Sequence, residues 1–175
     1  APVITSTTVP PTVPAGGKMG ETIDVKWIGD VLGDRVSKVT LPAQVVPNFG
    51  IVNQDDKGVS PYPNAFRISP YGNVIETEPN DDHNTATKFE APLACNGVIN
   101  KAGDIDHFVF TAKKGQTYDI RVWARSLRSP LDSVLYLGKK GGGALLGNDD
   151  AFGPDSGFRF SAPEDAEYVL WIIDQ

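Results

Sequence analysis

Two runs in the second half of this chain alternate with period two, and they restrict it to a fold built from half-buried strands. Phe108 and Phe110 alternate with His107, Val109 and Thr111. Tyr118, Ile120, Val122 and Ala124 alternate with Asp119, Arg121, Trp123 and Arg125. Successive side chains of a strand point to opposite faces, so one phase of each run can enter a core while the other meets a different environment. Between them Lys113-Lys114-Gly115-Gln116 predicts a hairpin turn, with Gly115 able to take the positive φ such turns require. Residues 133–137, 157–161 and 167–173 read as further strands, and residues 23–28, 36–41 and 65–68 as an earlier set. All are short, rich in β-formers and bounded by Gly or Pro. The only expected helix is a turn or two around residues 84–89.

A length of 175 residues can hold one large domain or two small ones, and hydrophobic residues at 40% can fill a core despite 18 Gly and 14 Pro. Two domains are expected. A polar, acidic stretch begins near Tyr71 and separates a first β unit, residues 1–72, from a second, residues 73–175. The first contains a long run of turn formers from Pro47-Asn48-Phe49-Gly50 to Pro61-Tyr62-Pro63-Asn64 and is expected to be partly irregular. Near the other end, residues 168–173 are apolar on both faces, as in a central strand, yet only Asp174 and Gln175 follow. This predicts a missing partner strand, supplied by a longer polypeptide or another copy, and a second unit truncated at its C-terminus. The opening Ala1-Pro2-Val3-Ile4-Thr5-Ser6-Thr7-Thr8, with Pro10, Pro11 and Pro14, suits a terminus exposed after signal removal or an artificial boundary.

Net charge −6 disfavours nucleic acid as a partner, because phosphate contacts need clustered cations. No apolar run is long enough to span a bilayer. Cys95 is the only cysteine, so no internal disulfide forms; it reads as a small buried residue. Residues 76–106 hold seven acids (Glu76, Glu78, Asp81, Asp82, Glu90, Asp104, Asp106) against two bases (Lys88, Lys101). Crowded carboxylates repel one another, and a hard divalent cation with six to eight oxygen ligands removes that cost. In an extended segment Glu76, Glu78 and Asn80 point to one side, with Pro79 stiffening the chain, while Asp104 and Asp106 follow a turn into the Phe108 strand. Zinc would want His or Cys, and His83, His107 and Cys95 have no ligand spacing. Spacing alone leaves a calcium cage and a solvated acidic linker equally open. A second acidic set, Asn148, Asp149, Asp150 and Asp155, lacks the EF-hand pattern and reads first as a turn held by Asx hydrogen bonds, second as another metal site.

Catalysis is not expected: neither histidine neighbours a nucleophile elbow or a HExxH motif. Lys139-Lys140-Gly141-Gly142-Gly143 lacks P-loop order and reads as a hairpin tip. Trp27, Trp123 and Trp171 can stack on sugars or contact a partner, and Trp123, outward on its strand between Arg121 and Arg125, is the candidate surface contact.

The ordered series Glu76-Thr77-Glu78-Pro79-Asn80-Asp81-Asp82, Asn96-Gly97-Val98-Ile99, Gly103-Asp104-Ile105-Asp106-His107-Phe108, Lys114-Gly115-Gln116, Leu131-Asp132, Asn148-Asp149-Asp150 and Ser161-Ala162-Pro163 resembles the bacterial pre-peptidase C-terminal domain over residues 73–175. That family, which includes the collagen-binding domains of clostridial collagenases, implies a jelly-roll-like β-sandwich appended to secreted peptidases and other exported proteins. The resemblance places Glu76, Glu78, Asn80, Asp81 and Asp106 on calcium-ligand positions. A further ligand aspartate of those relatives falls on Gly103 here, with Asp104 its possible substitute. Residues 14–25 resemble the opening of Ig-like units that precede this domain in large exported planctomycete proteins, which implies a small Ig-like β domain over residues 1–72. The expected protein is all-β, binds Ca2+, is not an enzyme, and works outside the cytoplasm: secreted, periplasmic or at the cell surface. Three roles follow: a calcium-binding accessory or spacer module of a larger polypeptide, a substrate-targeting domain that binds extracellular protein or polysaccharide for a hydrolase, or a structural subunit of a cell-surface assembly.

Overall fold

A computed structural model describes residues 3–6, 12–28, 33–55, 58–59 and 62–175. Ala1, Pro2, Thr7, Thr8, Pro10, Pro11 and Pro61 of the expected N-terminal and loop segments lie outside the described residues. The chain opens with β1 (Val3–Ser6), β2 (Thr12–Val13), β3 (Gly16–Lys18), β4 (Thr22–Trp27) and β5 (Arg35–Thr40), of which β2, β4 and β5 form an antiparallel sheet. Alternation along β4 turns Val25 and Trp27 to one face, where they are buried with Leu41, Ile51, Phe66 and Ile68. The stretch rich in turn formers carries two-residue strands only: β6 (Gly50–Ile51) pairs with β9 (Asn64–Ala65), and β7 (Gln54–Asp55) with β8 (Gly58–Val59). β10 (Arg67–Ser69) then returns to pair in parallel with β3.

The remaining strands are β11 (Asn73–Ile75), β12 (Thr87–Lys88), β13 (Ala94–Gly97), β14 (Asp106–Ala112), β15 (Thr117–Arg121), β16 (Ser133–Lys139), β17 (Ala144–Asn148), β18 (Gly157–Ser161) and β19 (Ala166–Asp174). One layer is the sheet β12-β14-β19-β16-β17; the other is made of the β15-β18 pair and the sheet β1-β13-β11. Phe108, Phe110, Leu135, Leu137 and Leu170 from the first layer meet Cys95, Tyr118, Ile120 and Phe160 from the second in one core. Each Phe, Leu and Ile among them contributes about 1.5–3 kcal/mol by leaving water, which is why period two in the sequence becomes two packed layers here. Burial also pushes the Cys95 thiol pKa up, so the cysteine is an inert core residue. The chain is all-β and sandwich-like, with no α-helix among the described residues.

Four local expectations change. Residues 168–173 are central, but no partner is missing: β19 pairs with β14 on one edge and with β16 on the other. The turn at Lys113–Gln116 does form, with Gly115 at φ +81 and Gln116 N–H donating to the Lys113 carbonyl at 3.0 Å, yet it joins strands of opposite layers instead of closing a hairpin. The expected helix at residues 84–89 is a turn followed by β12. The Asp82 carboxylate accepts from the Asn84 and Thr85 N–H groups at 2.6 and 3.1 Å and so closes a local Asx turn, and Thr87 and Lys88 then bond to β14. The acidic stretch after Tyr71 is not purely linker, since Asn73–Ile75 joins β13. The Lys139–Gly143 segment is the β16-β17 hairpin tip that its glycines predict.

Candidate metal centre

Asp106 opens β14, and alternation puts its side chain on the face of Phe108 and Phe110, at the end of the sandwich where the core stops. It is fully buried, and neither of its carboxylate oxygens receives a hydrogen bond from a protein donor. His107, the next residue, points to the other face and clamps the preceding segment. Its backbone N–H and its ring Nδ1–H both donate to the Asn80 carbonyl, at 3.1 and 2.9 Å. Two carbonyls, of Asn80 and Ile105, lie at Nδ1, which fixes the proton on that nitrogen. Burial lowers the His107 pKa and favours the neutral ring.

That clamp carries residues 76–80 over the end of β14. Carboxylate oxygens of Glu76, Glu78 and Asp106 all lie within 4.8 Å of one another. Glu76 Oε1 accepts from Val98 N–H at 2.6 Å, and its Oε2 accepts from Asn80 Nδ2 at 3.2 Å. Glu78 accepts from Asn80 N–H and from Asn100 Nδ2, both at 2.9 Å. Asn80 is fully buried, and its Oδ1 receives no hydrogen bond. The arrangement therefore has a buried floor at Asp106 and Asn80, a half-buried wall at Glu76 and an exposed lip at Glu78.

Gly97, at the end of β13, completes the wall by having no side chain. A Cβ there would fall inside van der Waals contact of both the Asp106 and the Glu76 carboxylate oxygens. Burial and the facing Glu76 carboxylate push the Asp106 carboxyl up to about 9, and burial likewise raises Glu76. Two ionised carboxylates cannot hydrogen-bond each other. They must share a proton or a cation, and the orphaned oxygens of Asp106 and Asn80 are of the hard, oxygen-only type that suits Ca2+ over zinc. The nearest softer donors are committed elsewhere: His107 Nδ1 faces carbonyls and Cys95 lies in the core.

Asp81 and Asp104, also expected as ligands, stand beside this group instead of in it. Both reach toward Lys101 Nζ, at 3.6 and 3.7 Å, and Asp104 Oδ2 accepts from Asn100 N–H at 2.7 Å. Asp104 is buried with one oxygen lacking a hydrogen-bond donor, whereas Asp81 is exposed. Gly103, where the resembled domains carry an aspartate, takes φ +78 in the turn leading to β14. Two residues that carry the geometry were not singled out as site residues: Gly97 and Asn100. The only sequence signal for Gly97 was its place in the Asn96-Gly97-Val98-Ile99 block.

The second acidic set divides. Asp155 is buried and accepts from the N–H groups of Ala124, Arg125 and Ser126 and from the Ser126 hydroxyl, so it holds the 3-10 turn Arg125–Leu127. Asn148 Oδ1 accepts from Ala151 and Gly157 N–H, an Asx-type turn. Asp149 and Asp150 instead converge with Asp132, which is engaged by Arg125 at 3.3 Å. Trp123 does not face outward on a strand: β15 ends at Arg121, and the indole is half-buried beneath Arg67 and Arg121.

No protein-family model matches the chain. Over 76 residues it is 40% identical to a Deinococcus radiodurans protein named probable subtilase-type serine protease, a stretch covering 43% of this chain and 10% of that protein. The similarity is thus to a small part of a much longer polypeptide. No helix among the described residues is long and apolar enough to cross a membrane.

Proposed function

We propose that this chain is a non-catalytic, calcium-stabilised accessory module of an exported, peptidase-associated protein, akin to the pre-peptidase C-terminal domains. One observation carries the reading: Asp106 buries both carboxylate oxygens without a donor, against Glu76, Glu78 and the orphaned Asn80 Oδ1, beside a glycine that leaves the space open. Carboxylates left in that state are costly, and a divalent cation is the partner that their chemistry fits. Glu76, Glu78, Asn80 and Asp106 would hold the ion, with Asp81 and Asp104 shaping the field around it. Bound Ca2+ supplies structural charge compensation and no reaction. The similarity to part of a subtilase-type protease supports the peptidase association and, through it, an exported setting. The assembly-subunit reading loses its basis, since both edges of β19 are paired within the chain.

The ion would also stiffen the junction of the two units. Asn96, one residue before Gly97, accepts Glu76 N–H on its carbonyl at 2.8 Å and Ala15 N–H on its side chain at 3.2 Å, while Asn73 Nδ2 donates to the Gly16 carbonyl at 2.8 Å. The strand that lines the metal centre is therefore also bonded to residue 15, with residue 16 held by the neighbouring strand. Thermal melting of chelator-treated protein with and without added Ca2+ tests the reading: Ca2+ should raise the melting temperature in wild type and not in Asp106→Asn. An unchanged wild-type melt would sink it.

A further inference from the structure

Where residues 45–68 meet residues 123–128 lies a cleft of about 550 Å³, with Phe49 and Phe66 on one side, Leu127 and Trp123 on the other, and Arg67 and Arg128 at its polar edge. Trp123 is shared with a second cavity of about 630 Å³, on whose wall Arg121 and Phe152 sit. The Arg67 guanidinium carbon is 4.6 Å from the Trp123 ring centre; that of Arg121 is 3.9 Å from Trp123 and 4.5 Å from Phe152. Among the described residues, no carboxylate forms an ion pair with Arg67, Arg121 or Arg128, in a chain whose net charge is −6. Two shielded donors here, Arg121 Nε and Trp123 Nε1, also have no acceptor. The described non-glycine residues at positive φ, Asn48 (+54) and Arg128 (+68), both line the cleft. Such conformations cost free energy and persist where the surroundings need them.

Uncompensated guanidinium groups and orphaned N–H donors around an apolar cleft call for an anionic acceptor with an apolar neighbour. Arg offers a planar fork that matches a carboxylate bidentately, and Arg and Trp are the residues that most often dominate protein interfaces. A sugar would need an open aromatic face, and the Trp123 ring already carries two guanidinium groups. We propose that the junction cleft is a binding site for an acidic peptide segment, its carboxylate taken by Arg67 and Arg128 and its adjoining apolar side chain seated between Phe49, Phe66 and Leu127. This site is separate from the metal centre and does not depend on it for its chemistry.

Selection of a random heptapeptide phage library on the immobilised, Ca2+-saturated chain tests the inference. The selected peptides should be enriched in Asp or Glu beside an aromatic or aliphatic residue. A synthetic peptide of the enriched sequence should bind wild type at least tenfold more tightly than its Gln/Asn counterpart, and weaken as salt rises. Arg67→Gln should reduce its affinity about tenfold or more, as should Arg128→Gln, a change at an exposed side chain that leaves the fold intact. A melting profile like that of wild type would certify each variant as folded. Enrichment without acidic residues, equal binding of the neutral peptide, or undiminished binding by folded Arg128→Gln and Arg67→Gln would overturn the proposal. So would preferential binding of polygalacturonate oligosaccharides over the selected peptides, which would assign the cleft to acidic polysaccharide. Failure here with an intact Ca2+ response would leave the metal reading untouched, so the two are separable.

Discussion

Removing Ca2+ should make this protein lose stability as the pH rises, where the Ca2+-saturated fold is nearly insensitive to alkali. In the ion-free fold the Asp106 carboxyl titrates near 9, raised by burial and by the Glu76 carboxylate, against roughly 4 in an unfolded chain. The folded state then binds the extra proton, so between about pH 4 and pH 9 stability falls as pH rises. The limiting slope for one such group is about 1.4 kcal/mol per pH unit, which amounts to a few kcal/mol by neutral pH. Ca2+ requires the carboxylates ionised, so it competes with that proton, and its stabilisation grows with pH through the same window. At about a hundred times its dissociation constant it adds roughly 2.7 kcal/mol, or about 5–11 °C in melting temperature for a chain of this size. The assay is differential scanning fluorimetry from pH 5 to pH 9 in chelator and in Ca2+. The gap between the two curves should widen toward pH 9, and Asp106→Asn should flatten the chelator curve. Parallel pH profiles in the two buffers would refute the reasoning.

Further outcomes follow from individual contacts. Gly97→Ala should abolish the Ca2+ effect in the same melt and destabilise by about 1–3 kcal/mol, because the new methyl meets the Glu76 and Asp106 carboxylates. Asp81→Asn, at an exposed side chain beside Lys101, should move stability by less than about 0.5 kcal/mol and leave a Ca2+ titration unchanged; loss of binding would enlarge the ligand set. Asp155→Ala removes the acceptor for three backbone N–H groups and the Ser126 hydroxyl, and should cost about 2–4 kcal/mol in urea unfolding without altering the Ca2+ response. If Asp155 instead served a metal, Ca2+ binding would fall with it.

What the sequence makes legible is what alternation and local charge encode. The phases of residues 107–111 and 118–120 place Phe108, Phe110, Tyr118 and Ile120 in the core, and the acid-rich stretch marks the centre where Glu76, Glu78 and Asp106 converge. Non-local pairing is less legible. The partners of β19 come from residues 106–112 and 133–139, and nothing within residues 166–174 encodes which strands lie beside it. A turn between two alternating runs reads the same whether the runs share a sheet or, as at Lys113–Gln116, change layers. The Asx turn of Asp82 mimics a helix start, since an N-cap and an Asx turn use the same side-chain acceptor. Asp81 and Asp104 both lie near Lys101 Nζ, a neighbouring cation that acid counting overlooks. Gly97 lies in another strand and acts through what it lacks. Trp123 illustrates the same limit, because its alternation suggested an outward face and Arg67, from a distant part of the chain, covers it.

The most direct measurement is calorimetric titration of Ca2+ into chelator-stripped protein, run on wild type, Asp106→Asn and Asp149→Asn. The centre built by Glu76, Glu78, Asn80 and Asp106 should bind a single ion per chain in wild type and in Asp149→Asn, and none in Asp106→Asn. No heat of binding in wild type, or binding that survives Asp106→Asn and disappears in Asp149→Asn, would contradict it.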